Sequence, residues 1–246
     1  MLRSRIIPSL LIRDRGLVKT VKFSNDKYVG DPINAVKIFN EKEVDELSIF
    51  DIGMHNNYKR PDFELLKKIA QEAAMPLCYG GGVSSVDDAI KLVSMGYEKV
   101  SISSAAINNP EIIKDISSAI GSQSTIVTVD VKKKIIYSGY NIYTDNASKK
   151  RSDNYTNFIK KAEDLGAGEI LINSIDKDGT MEGYDLALAR ITRETVSIPI
   201  SILGGAGSMK DIEDLINEVG LVGACAGSIF VFNGPFKAVL ISYTRP

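Results

Sequence analysis

Four aspartates, Asp51, Asp130, Asp176 and Asp178, stand at or just past the ends of short β-rich runs. A carboxylate at a strand end can act as general acid or base, whereas one buried unpaired on an outer face is costly. Asp130 is the sharpest case, because TIVTVDVKK surrounds it with β-branched residues. Asp51 and Asp178 serve equally well as helix caps or loop acceptors. Two glycine-rich turns, Gly80–Gly82 and Gly204–Gly207, each follow a strand-like run and precede a helical one. Glycine there lets backbone N–H groups approach an anion, and a helix N-terminus adds a favourable dipole. Ser103–Ala106 (SSAA) and Gly227–Phe230 (GSIF) follow the next run in each case and add hydroxyl and amide donors. One such turn is most simply a tight connection. Two matched sets predict two anion sites across one mouth.

Other reactive residues carry less. DKDGTMEGYD begins like a calcium loop but lacks the acidic or amide residue at the fifth position and the distal Glu. No metal and no cofactor is expected. Cys78 and Cys225 each sit in an apolar run and read as reduced core residues. The sole histidine, His55, follows the second strand and reads as a surface-loop residue or a rim contact.

Elements that place these residues recur along the chain. Strands are expected near Arg5–Ile12, Glu46–Ile52, Pro76–Tyr79, Lys99–Ser103, Thr125–Val131, Glu169–Ile175, Pro199–Leu203 and Val222–Ala226, with amphipathic helices between them. This alternation predicts an α/β fold, a single (β/α)8 TIM barrel over residues 1–246. An open doubly wound sheet would need a glycine fingerprint after the first strand, and LLIRDRG supplies none. The chain also repeats itself. PLCYGGGVSS matches PISILGGAGS, Glu46 falls on Glu169, MGYEKVSISSAA matches VGLVGACAGSIF, and IPSLLIR matches IVTVDVK. Four pairs in one order predict duplicated half-barrels, about 1–120 and 121–246. In that register Leu11 stands where the second half has Asp130.

Bulk properties exclude several classes. The 246 residues carry 44% hydrophobic and 25% charged side chains and a formal net charge of −1, giving no global attraction to nucleic acid or anionic membrane. The basic start before a short apolar stretch is broken by Pro8 and Ser9 and lacks a small-residue cleavage site, so a cytoplasmic protein is expected.

RIIPSLLI, VGDP, DELSIFDI, PLCYGGGVSS, KVSISSAA, GAGEILINSIDKDGT, GGAG and AGSIFVF together resemble the cyclase subunit of imidazole glycerol phosphate synthase. The resemblance covers nearly the whole chain. It implies a (β/α)8 fold that uses ammonia from a glutaminase docked on the N-terminal face. In that family the ammonia attacks a bisphosphorylated ribonucleotide, with cyclisation and lyase cleavage. It assigns phosphate contacts to Gly82, Ser103, Ser104, Gly205, Gly207 and Ser228, and acid/base work to Asp130. It assigns a lid to the loop around Lys19, and an ammonia gate to Arg5, Glu46, Lys99 and Glu169. Those four open strands, so they ring the barrel bottom, where a purely structural ion-pair cluster is the alternative.

One position departs from the family. Its histidine-pathway members carry a second essential aspartate where this chain has Leu11, and leucine cannot move a proton. RPDFELLKKIA, MPLCYGGGV and GSIFVFNGPFKAVLISY look like the paralogues that accompany sugar amidotransferases in bacterial surface-polysaccharide pathways. There the barrel and its glutaminase supply ammonia for turning an acetamido group into an acetamidino group. Three functions are therefore open: ammonia supply for surface-sugar amidination, a histidine-pathway cyclase in which Asp51, Asp178 or water replaces the missing aspartate, and a non-catalytic scaffold that activates a glutaminase.

Overall fold

Strands dense in Ile, Val and Leu alternate with helices through the computed structural model, which describes residues 3–53, 60–136 and 138–243. In chain order the strands are β1 (Arg5–Arg13), β2 (Gly16–Val21), β3 (Ser24–Gly30), β4 (Leu47–Asp51), β5 (Leu77–Gly80), β6 (Lys99–Ile102) and β7 (Thr125–Lys133). They continue as β8 (Tyr140–Thr144), β9 (Lys149–Asn154), β10 (Glu169–Ser174), β11 (Ile200–Leu203), β12 (Gly223–Ala226), β13 (Phe232–Asn233) and β14 (Ala238–Val239). Eight of them, β1, β4, β5, β6, β7, β10, β11 and β12, pair in parallel, and β12 returns to β1. The sheet closes on itself, and the fold is the expected (β/α)8 barrel.

Side-chain alternation splits the core in two. Residues facing outward, such as Ile6, Ile49, Val100, Val127 and Ile172, pack under the helices in one large cluster. Inward-facing Ile7, Cys78, Ile126, Leu171 and Cys225 form a separate small cluster inside the barrel. The helices that follow the strands start on short polar caps: Asp62, Ser85, Asn154, Asp185 and Ser208 each accept an N–H of the first turn. These caps fix where each strand-to-helix turn ends, and so the shape of the mouth.

The structure adds what the sequence pattern did not yield. β1 runs into an antiparallel hairpin, β2 and β3, and β7 runs into a second one, β8 and β9. Both fold over the C-terminal mouth. Two short helices, Ser104–Asn108 and Ser228–Val231, also begin there. The expected strand starts at Pro76 and Pro199 move one residue inward, to Leu77 and Ile200; proline has no N–H to give a ladder.

Candidate functional site

The C-terminal ends of the barrel strands open into a cavity of about 640 Å³. Leu11, Asp51, Asp130, Asp178 and Lys19 all line it, as do Gly82, Ser103, Ser104, Gly205 and Ser228.

Asp130 lies on β7 beside Asn173 of β10, whose Nδ2 donates to its Oδ1 at 3.1 Å. Burial pushes its carboxyl up to about 7; the Asn173 bond opposes this and the negative charge of Asp178 adds to it. A carboxyl poised there exists in both protonation states at neutral pH, which suits proton transfer. Asp178 is raised too, by burial, although Thr20 Oγ1 and Phe23 N donate to its Oδ2 at 2.8 and 3.0 Å. Those two bonds tie the first hairpin to the loop after β10. Asp51 ends β4 and accepts the Gly53 N–H at 2.9 Å.

Lys19 is not in a loop, as expected from the sequence, but on β2, buried. The polar stretch around it is hairpin rather than open chain. Its Nζ donates to Ser9 O at 2.9 Å, and burial brings its amine down to about 8, with Asp178 resisting. A Cβ at Gly227 would lie 2.0 Å from that Nζ, so the ammonium sits directly against the turn that leads to Ser228.

The glycine turns are built for close approach. Gly82 and Gly205 both have positive φ, 68° and 112°. A Cβ at Gly205 would lie 2.2 Å from Gly183 O, so only glycine fits. Two expected residues fall outside the cavity lining. Gly207 gives its N–H to Asp211 Oδ2 at 2.9 Å, the same carboxylate that closes the capping box of the following helix with Ser208. Asp176 turns outward and accepts the Lys133 N–H at 2.8 Å, beside a shallower surface groove. His55 lies outside the described residues.

Four buried side-chain polar atoms have no hydrogen-bond partner among the described residues: Arg13 Nε, Ser103 Oγ, Thr144 Oγ1 and Asn173 Oδ1. Arg13, Ser103 and Asn173 all line the cavity. Sequence reasoning missed Arg13 and Asn173. The signal was strand alternation, since each lies two residues beyond an inward-facing position, Leu11 and Leu171.

At the other end of the barrel four charges meet: Arg5, Lys99 and Glu169, which open their strands, and Glu46, one residue before β4 rather than in it as expected. Arg5 pairs with Glu46 and, at 2.8 Å, with Glu169; Lys99 Nζ lies 3.0 Å from both Glu46 and Glu169. Ser201 Oγ also donates to Glu169. Burial opposes the charges of Arg5, Lys99 and Glu169. Their mutual attraction overcomes it, holding Glu169 below the usual carboxylate range and Arg5 and Lys99 above their usual ranges. Above this ring, Cys78 and Cys225 are free, fully buried thiols, and burial pushes both up, Cys225 to about 12.

Among the described residues no group of three or more His, Cys, Asp and Glu side chains could hold a metal ion. No helix among them is long and apolar enough to cross a membrane.

Comparison with known proteins gives a consistent set of relatives. Residues 5–237 match the family described as histidine biosynthesis protein. A Vibrio vulnificus protein provisionally named imidazole glycerol phosphate synthase subunit hisF3 is 51% identical over 246 residues, covering 100% of this chain and 95% of its own. A Leptospira interrogans protein, provisionally named imidazole glycerol phosphate synthase subunit HisF, is 48% identical over 243 residues, 99% of this chain and 96% of its own. The Streptococcus mutans imidazole glycerol phosphate synthase subunit HisF is 37% identical over 230 residues, 94% of this chain and 91% of its own.

Proposed function

The chain belongs to the histidine biosynthesis protein family, and from that premise we propose that it is a cyclase-type barrel subunit that uses ammonia on a phosphorylated ligand. The observation that carries this reading is the occupancy of one cavity by Asp130, two glycine turns and unpartnered donors, with a charged ring at the opposite end.

In this reading a glutaminase docks on the N-terminal face, and ammonia passes the ring of Arg5, Glu46, Lys99 and Glu169 into the barrel. One phosphate of the ligand sits on Gly82, Ser103 and Ser104. The other sits on Gly205 and Ser228, with the Lys19 ammonium against the same turn. Gly207 is left out of the second cradle because Asp211 already holds its N–H. Asp130, oriented by Asn173, takes or returns the proton that moves as a C–N bond forms. Each half, about 1–120 and 121–246, contributes one cradle, as a duplicated half-barrel would.

Leu11 decides the finer assignment. It lines the cavity but offers no carboxylate, so a two-carboxylate cyclisation lacks one of its groups. We therefore assign the subunit to ammonia supply for converting an acetamido to an acetamidino group on a bacterial surface sugar, in the cytoplasm, with a sugar amidotransferase as third partner. Purified protein given ammonium and the histidine-pathway ribonucleotide should then turn over about 10²–10⁴-fold more slowly than a two-carboxylate enzyme. Robust cyclisation would overturn the amidination reading.

One observation favours the histidine-pathway alternative. Asp178 is buried in the same cavity, near enough to Asp130 to raise its pKa, and could serve as the second acid/base group. Growth of a cyclase-deficient histidine auxotroph on this gene, abolished by Asp178→Asn, would support it. A scaffold without chemistry predicts instead that Asp130→Asn leaves pathway output intact.

A further inference from the structure

Arg13 is the last residue of β1, two positions past Leu11 and on the same alternating face. It lines the cavity. Its guanidinium is held from one side by Asp26 of β3, with Nη1 2.6 Å from Oδ1, and its Nε is buried with no partner. The group is thus fixed in place with a buried donor left over. Arg60 lines the same cavity, but its guanidinium is bonded to the buried carboxylate of Asp88. Asp51, at the end of the neighbouring strand β4, accepts the Gly53 N–H on its Oδ1.

Leu11 matters here for a second reason. A carboxylate at that position would stand about 7 Å along the strand from Arg13, close enough to claim or screen its charge. Leucine makes no claim on the Nε–H, the donor that Asp26 does not take, and leaves it for a ligand. We propose that Arg13 forms a third anion subsite, separate from both glycine cradles, which takes a carboxylate or phosphate of the ligand. The proposal rests on the reading that the cradles hold phosphates. It makes the replacement of a carboxylate by Leu11 a gain in anion recognition as well as a loss of proton transfer. A substrate with a third negative group at the β1 end is preferred over one that is neutral there.

Crystals soaked in selenate, whose selenium scatters anomalously, locate each bound anion. The wild type should show selenate at both cradles and at Arg13. Arg13→Met should lose the third site alone, and Leu11→Asp should lose it too while keeping Arg13 in place. Asp26→Asn, which removes the ion pair but keeps the guanidinium, should retain it. Calorimetric titrations with inorganic phosphate and with acetate then separate the two sources of charge. A roughly tenfold loss in Arg13→Met confined to acetate assigns a carboxylate; a loss confined to phosphate assigns a phosphate. Selenate at the cradles with none at Arg13, or affinities unchanged by Arg13→Met, would overturn the subsite while leaving the cradles standing. Empty cradles would overturn both.

Discussion

At the scale of single residues, two buried charges set the pH behaviour. Asp130 has its carboxyl raised to about 7, against an ordinary value near 4 in the unfolded chain. The folded state therefore binds the proton more tightly, and its stability falls as pH rises from about 4 to about 7, then levels off. Asp130→Asn removes that dependence, so its stability relative to wild type should grow across the same window; urea titrations at several pH values check this. Lys19 works in the opposite sense. Its amine is lowered to about 8 from 10.5, so the folded state gains stability as pH climbs through that interval. Lys19→Met should be the more stable protein at neutral pH, with the gap closing above about pH 8 by thermal melting. Asp130 was legible in the sequence because a carboxylate inside a β-branched run needs a reason. Gly207 lies outside the cavity lining and gives its N–H to Asp211, a partner that the capping signature of Ser208 and Asp211 made foreseeable. Arg13 and Asn173 were readable only by carrying strand alternation to the strand end, where loops usually begin.

Among elements, the hairpins were the least visible. KTVKFSNDKYVG is polar and lacks the apolar alternation of a buried strand, so it reads as loop. Its order comes from tertiary contacts: Thr20 and Phe23 bond Asp178, and Lys22 N donates to Asp178 O at 2.9 Å. Asp178→Ala should therefore raise amide exchange first in Gly16–Gly30, with the barrel strands still protected, as hydrogen-exchange mass spectrometry would show. Gly179 sits at the same junction with φ +66°, and a Cβ there would lie 2.0 Å from Thr20 O. Gly179→Ala should displace the hairpin in the same way. The eight barrel strands, in contrast, were legible, most of them as apolar runs such as those in β1, β7 and β10, and β12 (GACA) as a run of small residues.

For the whole molecule, the barrel has two unlike ends, an open polar mouth and a closed charged floor. Antiparallel hairpins follow β1 and β7 alike, the first strands of the two proposed halves, which supports duplication beyond the glycine turns. The floor should matter to stability whatever its part in the proposed ammonia route. Glu169→Ala leaves Arg5 and Lys99 each short of a partner and should cost about 3–5 kcal/mol in urea unfolding. The sequence placed these four residues at or next to strand starts; which pairs form depends on barrel closure, which brings β12 beside β1 and sets β10 across the floor from β1 and β4. Traced around the floor, the contacts run Arg5, Glu46, Lys99, Glu169 and back to Arg5, a closed loop in which every member has two neighbours. Such a loop tolerates one broken link without stranding any charge. In the gate reading proposed above, one seam opens for ammonia while the other three links keep all four charges paired, like a clasp with redundant hooks.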